Sequence, residues 1–70
     1  MLKYKIDVMA ALTAAGYNTG MIRKQKLIGE ASLQDIRKGK VVGIKTLDQI
    51  CDILDLQPGD IIKHEKEDPN

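Results

Sequence analysis

The sequence predicts an all-α domain of five short helices, with the second and third forming a tight pair. Three observations predict it. Apolar residues recur at spacings of three and four through Val8–Ala15, Leu33–Ile36 and Ile44–Leu54, the period of a helix with one inward face. Helix punctuation falls between these stretches: Gly16 and Gly39 at ends, Asn18 at a start, and Pro58 at a first helical position. Hydrophobic residues make up 43% of the 70-residue chain, enough for a packed core and too many for a disordered one.

That length allows one domain with a small core, which a partner subunit would help to stabilise. The expected division is a folded domain over residues 1–63 and a charged, frayed tail over residues 64–70.

The first helix is expected from Tyr4 to Ala15. Val8, Ala11, Leu12 and Ala15 form its apolar stripe, and its alanines favour helix. Gly16 ends it, and Tyr17 turns toward the core. Lys3 and Lys5 are candidates for weak phosphate contacts.

The second helix is expected at about Thr19–Lys26. Asn18 caps it, because its side-chain oxygen can accept a bond from a free backbone N–H. Ile22 points inward. Arg23, Lys24 and Lys26 lie on this helix, and Gly20 weakens it by roughly 1 kcal/mol relative to Ala. The free amides at its start can also hold a phosphate, with Asn18 and Thr19 placed to assist. Capping and phosphate binding are compatible there.

The pattern breaks at Leu27-Ile28-Gly29. A third helix follows at about Glu30–Lys38, with Leu33 and Ile36 inward and Gly39 past its end. Two helices joined by so short a turn form a helix-turn-helix, whose second helix can enter the DNA major groove. The outward residues of that helix are then Glu30, Ala31, Gln34, Asp35 and Lys38. Gln bonds adenine, Glu or Asp accepts from the cytosine amino group, and Ala touches a thymine methyl. Two carboxylates beside phosphates need donors of their own, and Glu30 also suits the helix dipole in the first turn. Lys38 and Lys40 are the candidate phosphate clamps beyond the helix.

The fourth helix runs from about Ile44 to Leu54, with Ile44, Leu47, Ile50, Cys51 and Leu54 as its inner stripe. Val42 and Leu47 have the spacing of a hydrophobic staple around a cap at Gly43. Cys51 lies on that stripe and reads as a small core residue rather than a nucleophile. Pro58 opens a very short fifth helix that ends in Ile61 and Ile62. His64 falls in the charged tail and reads as solvated.

Composition narrows the function. There is no Trp or Phe and only two Tyr, which argues against single-strand binding by base stacking. One cysteine and one histidine leave neither an internal disulfide nor a zinc site within the chain. No cofactor or small-molecule ligand is indicated. No apolar run is long enough for a membrane span, and the start lacks the features of a signal peptide, so a cytoplasmic location is expected. Net charge is only +1, but it is unevenly spread. Residues 23–45 hold seven basic and two acidic residues, and residues 46–70 hold two basic and seven acidic ones. A basic face with an acidic end fits a protein that approaches a polyanion from one side.

The order of helices, with the motif at the second and third, resembles the Cro and phage-repressor family. The resemblance spans about Val8 to Ile62. It rests on Gly16-Tyr17-Asn18, Ile22, Ile28, Leu33, Ile36 with Gly39, Thr46-Leu47, Ile50-Cys51, Leu54, and Pro58 through Ile61. It looks closest to compact prophage-type regulators that consist of this domain alone.

The resemblance implies a lambda-repressor-like fold and a homodimer on a palindromic operator of double-stranded DNA. It implies phosphate contacts near Asn18, Thr19, Lys38 and Lys40, and base contacts from Glu30, Ala31 and Asp35, with Gln34 beside them. Arg23, Lys24 and Arg37 are further candidates for DNA contact. Three positions depart from the family pattern. Arg23 stands where a small Ala is usual, Leu27 where a turn Gly is usual, and Leu12 with Arg37 where an Arg–Glu pair is common.

The first functional expectation is a sequence-specific transcriptional regulator, a repressor, reading the major groove with its third helix. The alternative keeps the fold and makes it a protein-interaction module such as an antitoxin or anti-repressor, supported by Glu30 and Asp35 on the exposed face. An enzyme is not expected. The chain shows no paired nucleophile and base, no phosphate-binding glycine loop and no ligand cluster.

Overall fold

The computed structural model describes residues 1–66. Its elements are β1 (Leu2–Tyr4), α1 (Val8–Ala14), α2 (Thr19–Lys24), α3 (Glu30–Arg37), α4 (Ile44–Leu54), α5 (Pro58–Ile61) and β2 (Ile62–His64). The five helices come in the expected order. Added to them is a two-stranded antiparallel sheet, outside the all-α expectation, in which Leu2 pairs with His64, Lys3 with Lys63 and Tyr4 with Ile62.

The sheet corrects both ends of the chain. The first helix starts at Val8 rather than Tyr4, because Asp7 caps it by accepting the Ala10 N–H at 3.1 Å. Ahead of the cap the chain stays extended, and the Lys5 amide donates to the Ile61 carbonyl at 2.7 Å. At the other end, the boundary expected after residue 63 falls inside β2. The Glu65 amide donates to the Met1 carbonyl, and its carboxylate pairs with Lys3 at 2.9 Å and Lys63 at 3.3 Å. The expectation of fraying at residues 67–70 lies outside the described residues.

Each helix buries one face in a shared core. Leu12 from α1, Ile22 from α2, Leu33 from α3, Ile50 from α4 and Ile61 from α5 are fully enclosed and meet at its centre. Ile28 in the motif turn and Val42 in the α3–α4 loop complete it. Tyr17 and Cys51 pack against it from the side, as expected. Burial pushes the Cys51 thiol up, with smaller contributions from the Asp48 and Asp60 carboxylates, consistent with a packing role.

Ile44 is the exception on α4: it is 86% exposed, not part of the inner stripe. It occupies the first position after the Gly43 cap, and the inward place at that end is taken by Val42, buried together with Leu47.

Left-handed residues close α1 to α4. At α1, Gly16 (φ +93°) lets its own amide reach the Thr13 carbonyl and the Tyr17 amide reach that of Leu12. The α2 end has the same pattern with Lys26 (φ +54°) in the left-handed position: its amide reaches Arg23, and the Leu27 amide reaches Ile22. A side chain there costs roughly 1–2 kcal/mol relative to the right-handed region.

Candidate nucleic-acid interface

The candidate interface is built on α2 and α3. Asn18 precedes α2 and accepts the Met21 N–H at 2.7 Å through its side-chain oxygen, so the expected cap is present. Its amide nitrogen keeps two donors of its own. Asn18 is exposed and Thr19 half-buried. Ile22 anchors α2 in the core, which leaves Arg23 and Lys24 outside. After the turn, Ile28 re-enters the core and Gly29 caps α3 with no side-chain bond.

Leu33 and Ile36 hold α3 by one side. Ser32 and Thr46 share a hydrogen bond at 3.2 Å, which ties α3 to α4. Glu30, Ala31 and Gln34 are exposed on α3, as are Arg37 and Lys38 at its end, while Asp35 is half-buried. Spacing alone thus placed three of the four candidate base-contacting residues outside, and overstated the exposure of Asp35.

Glu30 does not stand alone at the start of α3. Arg23 Nε donates to its Oε2 at 2.8 Å and Arg23 Nη2 to its Oε1 at 2.8 Å. This two-bond pair joins α2 to the first residue of α3. The Gln34 amide lies at the limit of bonding, 3.5 Å from Oε1. Arg23 holds the Glu30 carboxyl below its ordinary range, with Gln34 and Arg37 adding smaller effects. The sequence carried no signal for this pair, whose members sit on different helices across a turn. It answers the electrostatic difficulty of a carboxylate near phosphates, because the charge of Glu30 is met within the protein.

The far end of α3 closes on Gly39 (φ +79°). The Gly39 amide reaches the Ile36 carbonyl at 3.1 Å, and the Lys40 amide reaches that of Asp35 at 2.8 Å. Lys38 and Lys40 are left exposed beyond the helix. The loop is fastened by Tyr4, whose hydroxyl donates to the Lys40 carbonyl and accepts the Val42 amide. Tyr4 thus lies in β1 rather than in the first helix, and from there it positions this loop. Lys3 and Lys5 turn elsewhere, Lys3 to Glu65 and Lys5 to the Gly59 carbonyl at 3.2 Å.

A model of the Cro/C1-type HTH DNA-binding domain matches residues 5–67. The chain belongs to this family. No curated protein matches it, and neither does any solved structure. The Cro/C1-type domain is a DNA-binding domain, and here its two motif helices are α2 and α3.

The three departures from the usual Cro/C1-type pattern now have physical accounts. Arg23 does not wedge between the motif helices, because its side chain reaches outward to Glu30 and stays about half exposed. The left-handed residue of the turn is Lys26, so Leu27 needs no glycine and packs against the core. Leu12 is fully buried, an apolar contact where an ion pair is common, and Arg37 is left outside.

Among the described residues, no group of His, Cys, Asp and Glu is placed to hold a metal ion. No described helix is long and apolar enough to cross a membrane. A shallow cleft lined by Arg23, Lys26, Ile28, Gly29 and Glu30 lies at the motif turn itself.

Proposed function

We propose that the protein is a transcriptional regulator of bacterial or phage type that binds operator DNA as a homodimer and represses by occupancy. The α3 helices of two subunits enter the major groove at palindromic half-sites about 34 Å apart. The bound dimer obstructs polymerase, in the cytoplasm where the chromosome lies.

One observation carries this reading. The inward side of α3 is used by Leu33 and Ile36, while Glu30, Ala31 and Gln34 stand exposed between basic residues on α2 and beyond α3. Base contacts are assigned to Glu30, Ala31, Gln34 and Asp35. Phosphate contacts are assigned to Asn18, Thr19, Lys38 and Lys40, with Arg23, Lys24 and Arg37 as additional DNA contacts. Lysine and arginine contacts to phosphate release counterions, so affinity falls steeply with salt.

The protein-interaction reading needs an acidic face on α3. Glu30 is already matched by Arg23 and Asp35 is half-buried, which weakens that face.

The test is selection from a random duplex pool at several salt concentrations, followed by sequencing of the bound fraction. A recovered palindrome whose affinity drops as salt rises supports an operator-binding dimer. Absence of binding at low salt by folded protein overturns the reading.

A further inference from the structure

We propose that Arg23 reads a guanine at the start of the α3 footprint, and that Glu30 is the positioning residue that holds the guanidinium for it. This inference rests on the operator-binding reading, but replaces the direct base contact given there to Glu30 with one from Arg23.

The geometry of the guanidinium carries it. An arginine has five N–H donors in a rigid plane. Glu30 occupies the edge formed by Nε and Nη2, with both bonds at 2.8 Å. Among the described residues three donors remain, two on Nη1 and one on Nη2. The outer edge, Nη1 with Nη2, presents two parallel N–H bonds. That is the donor pair which matches O6 and N7 of guanine in the major groove.

Glu30 is also poorly suited to read a base itself. Both its oxygens already accept from Arg23, and its charge is matched within the protein. The pair sits where such a contact is needed, because Glu30 is the first residue of α3 and Arg23 reaches it from α2. Both side chains remain about half exposed, so the outer edge is open to a partner. Bracing by Glu30 limits the rotamers of a long side chain before DNA arrives, which lowers the cost of ordering it on binding.

The same outer edge could also grip a phosphate, and substitution by lysine separates the two. Lysine keeps a charge for a phosphate but loses the paired donors that match guanine. The experiment selects duplex sites with the wild type, then compares Arg23→Ala, Arg23→Lys, Glu30→Gln and Glu30→Ala on the best site. It repeats the comparison on that site with one base pair changed. Thermal melting confirms that each variant is folded, as expected for exposed positions.

The wild type is expected to select one guanine per half-site that both Arg23 variants cease to prefer. Their affinity for the best site should fall about 5- to 150-fold. Glu30→Ala should keep the same guanine preference but weaken it several-fold, and Glu30→Gln, which retains one acceptor, should recover part of it.

Three outcomes overturn the proposal. If Arg23→Lys retains the preference, or Arg23→Ala weakens all sequences equally, Arg23 is a phosphate contact. If Glu30→Ala abolishes preference for one base pair that Arg23→Ala leaves intact, Glu30 reads directly. If the wild type selects no sequence, operator binding fails and this inference fails with it.

Discussion

Tyr4 and Lys40, 36 residues apart, are joined by a hydrogen bond of 2.8 Å from the phenol to the backbone carbonyl. The same oxygen accepts the Val42 amide at 3.1 Å. One side chain from β1 therefore fixes both sides of the loop that follows α3. Tyr4→Phe keeps the ring and removes both bonds, leaving a part-buried amide without its acceptor. The expected loss is about 1–2 kcal/mol, seen as a lower urea midpoint at unchanged slope.

The same phenol gives a pH signature. Burial raises the Tyr4 pKa above its ordinary value of 10.0; the Val42 bond pulls it down, and Asp35 pushes it up slightly. The folded state thus holds this proton more tightly than the unfolded state. Its stabilising contribution is intact below pH 10 and is lost as pH rises through the folded value. The stability gap between wild type and Tyr4→Phe should narrow above pH 10 in paired denaturation curves. A constant gap would show that Tyr4 does not titrate differently in the fold.

At Asn18, capping and DNA contact can be separated. Asn18→Ala removes the acceptor for the Met21 amide and should cost about 1 kcal/mol of stability. Asn18→Asp keeps the acceptor and adds a negative charge where a phosphate is proposed. It should leave the melting temperature near wild type while lowering DNA affinity. Equal DNA binding by Asn18→Asp and wild type would reduce Asn18 to a cap.

Lys26 occupies the left-handed region with φ +54°. Lys26→Gly should relieve that cost and stabilise the domain by roughly 0.5–1 kcal/mol, net of the freedom glycine gains when unfolded. In a domain of this size each kcal/mol moves the melting temperature by about 4–8 °C. Leu27→Gly, one residue on, should destabilise, because Leu27 packs on the core. Calorimetry of the two variants checks the sign of each.

Ile44 and Leu47 lie three apart on α4 and should differ sharply in their response to substitution. Leu47 is buried, and Leu47→Ala should cost about 2–4 kcal/mol. Ile44 is exposed, and Ile44→Lys should change stability by less than about 0.5 kcal/mol. A large loss at Ile44 in chemical denaturation, growing with protein concentration, would instead mark it as a contact between subunits.

The helices were legible because each has a local cause. Period and punctuation place α2 through α5 within a residue or two, and Asn18, Gly39 and Pro58 act where their chemistry suggests. Asp7 was a readable cap, three residues before the amide it accepts, and the apolar stripe itself begins at Val8; the expected start at Tyr4 ran past both. The strands had no comparable signal. Leu2-Lys3-Tyr4 and Ile62-Lys63-His64 are three residues each and stand only because each pairs with the other across the length of the domain. Ile44 fits the helical period but lies at the helix start, where Val42 supplies the inward contact. The Arg23–Glu30 pair depends on how two helices meet, which residue spacing within either helix does not encode.

The pairing of β1 with β2 also sets an order of events during synthesis. Residues 2–4 are made before every helix of the domain, and their partners at residues 62–64 after all five. The helical core can begin to collect while the chain is still attached, as early segments do. Tyr4 has no strand partner to hold it beside the Lys40 loop until residues 62–64 clear the exit tunnel. The loop beside the proposed reading surface is therefore fastened only after all five helices have been made.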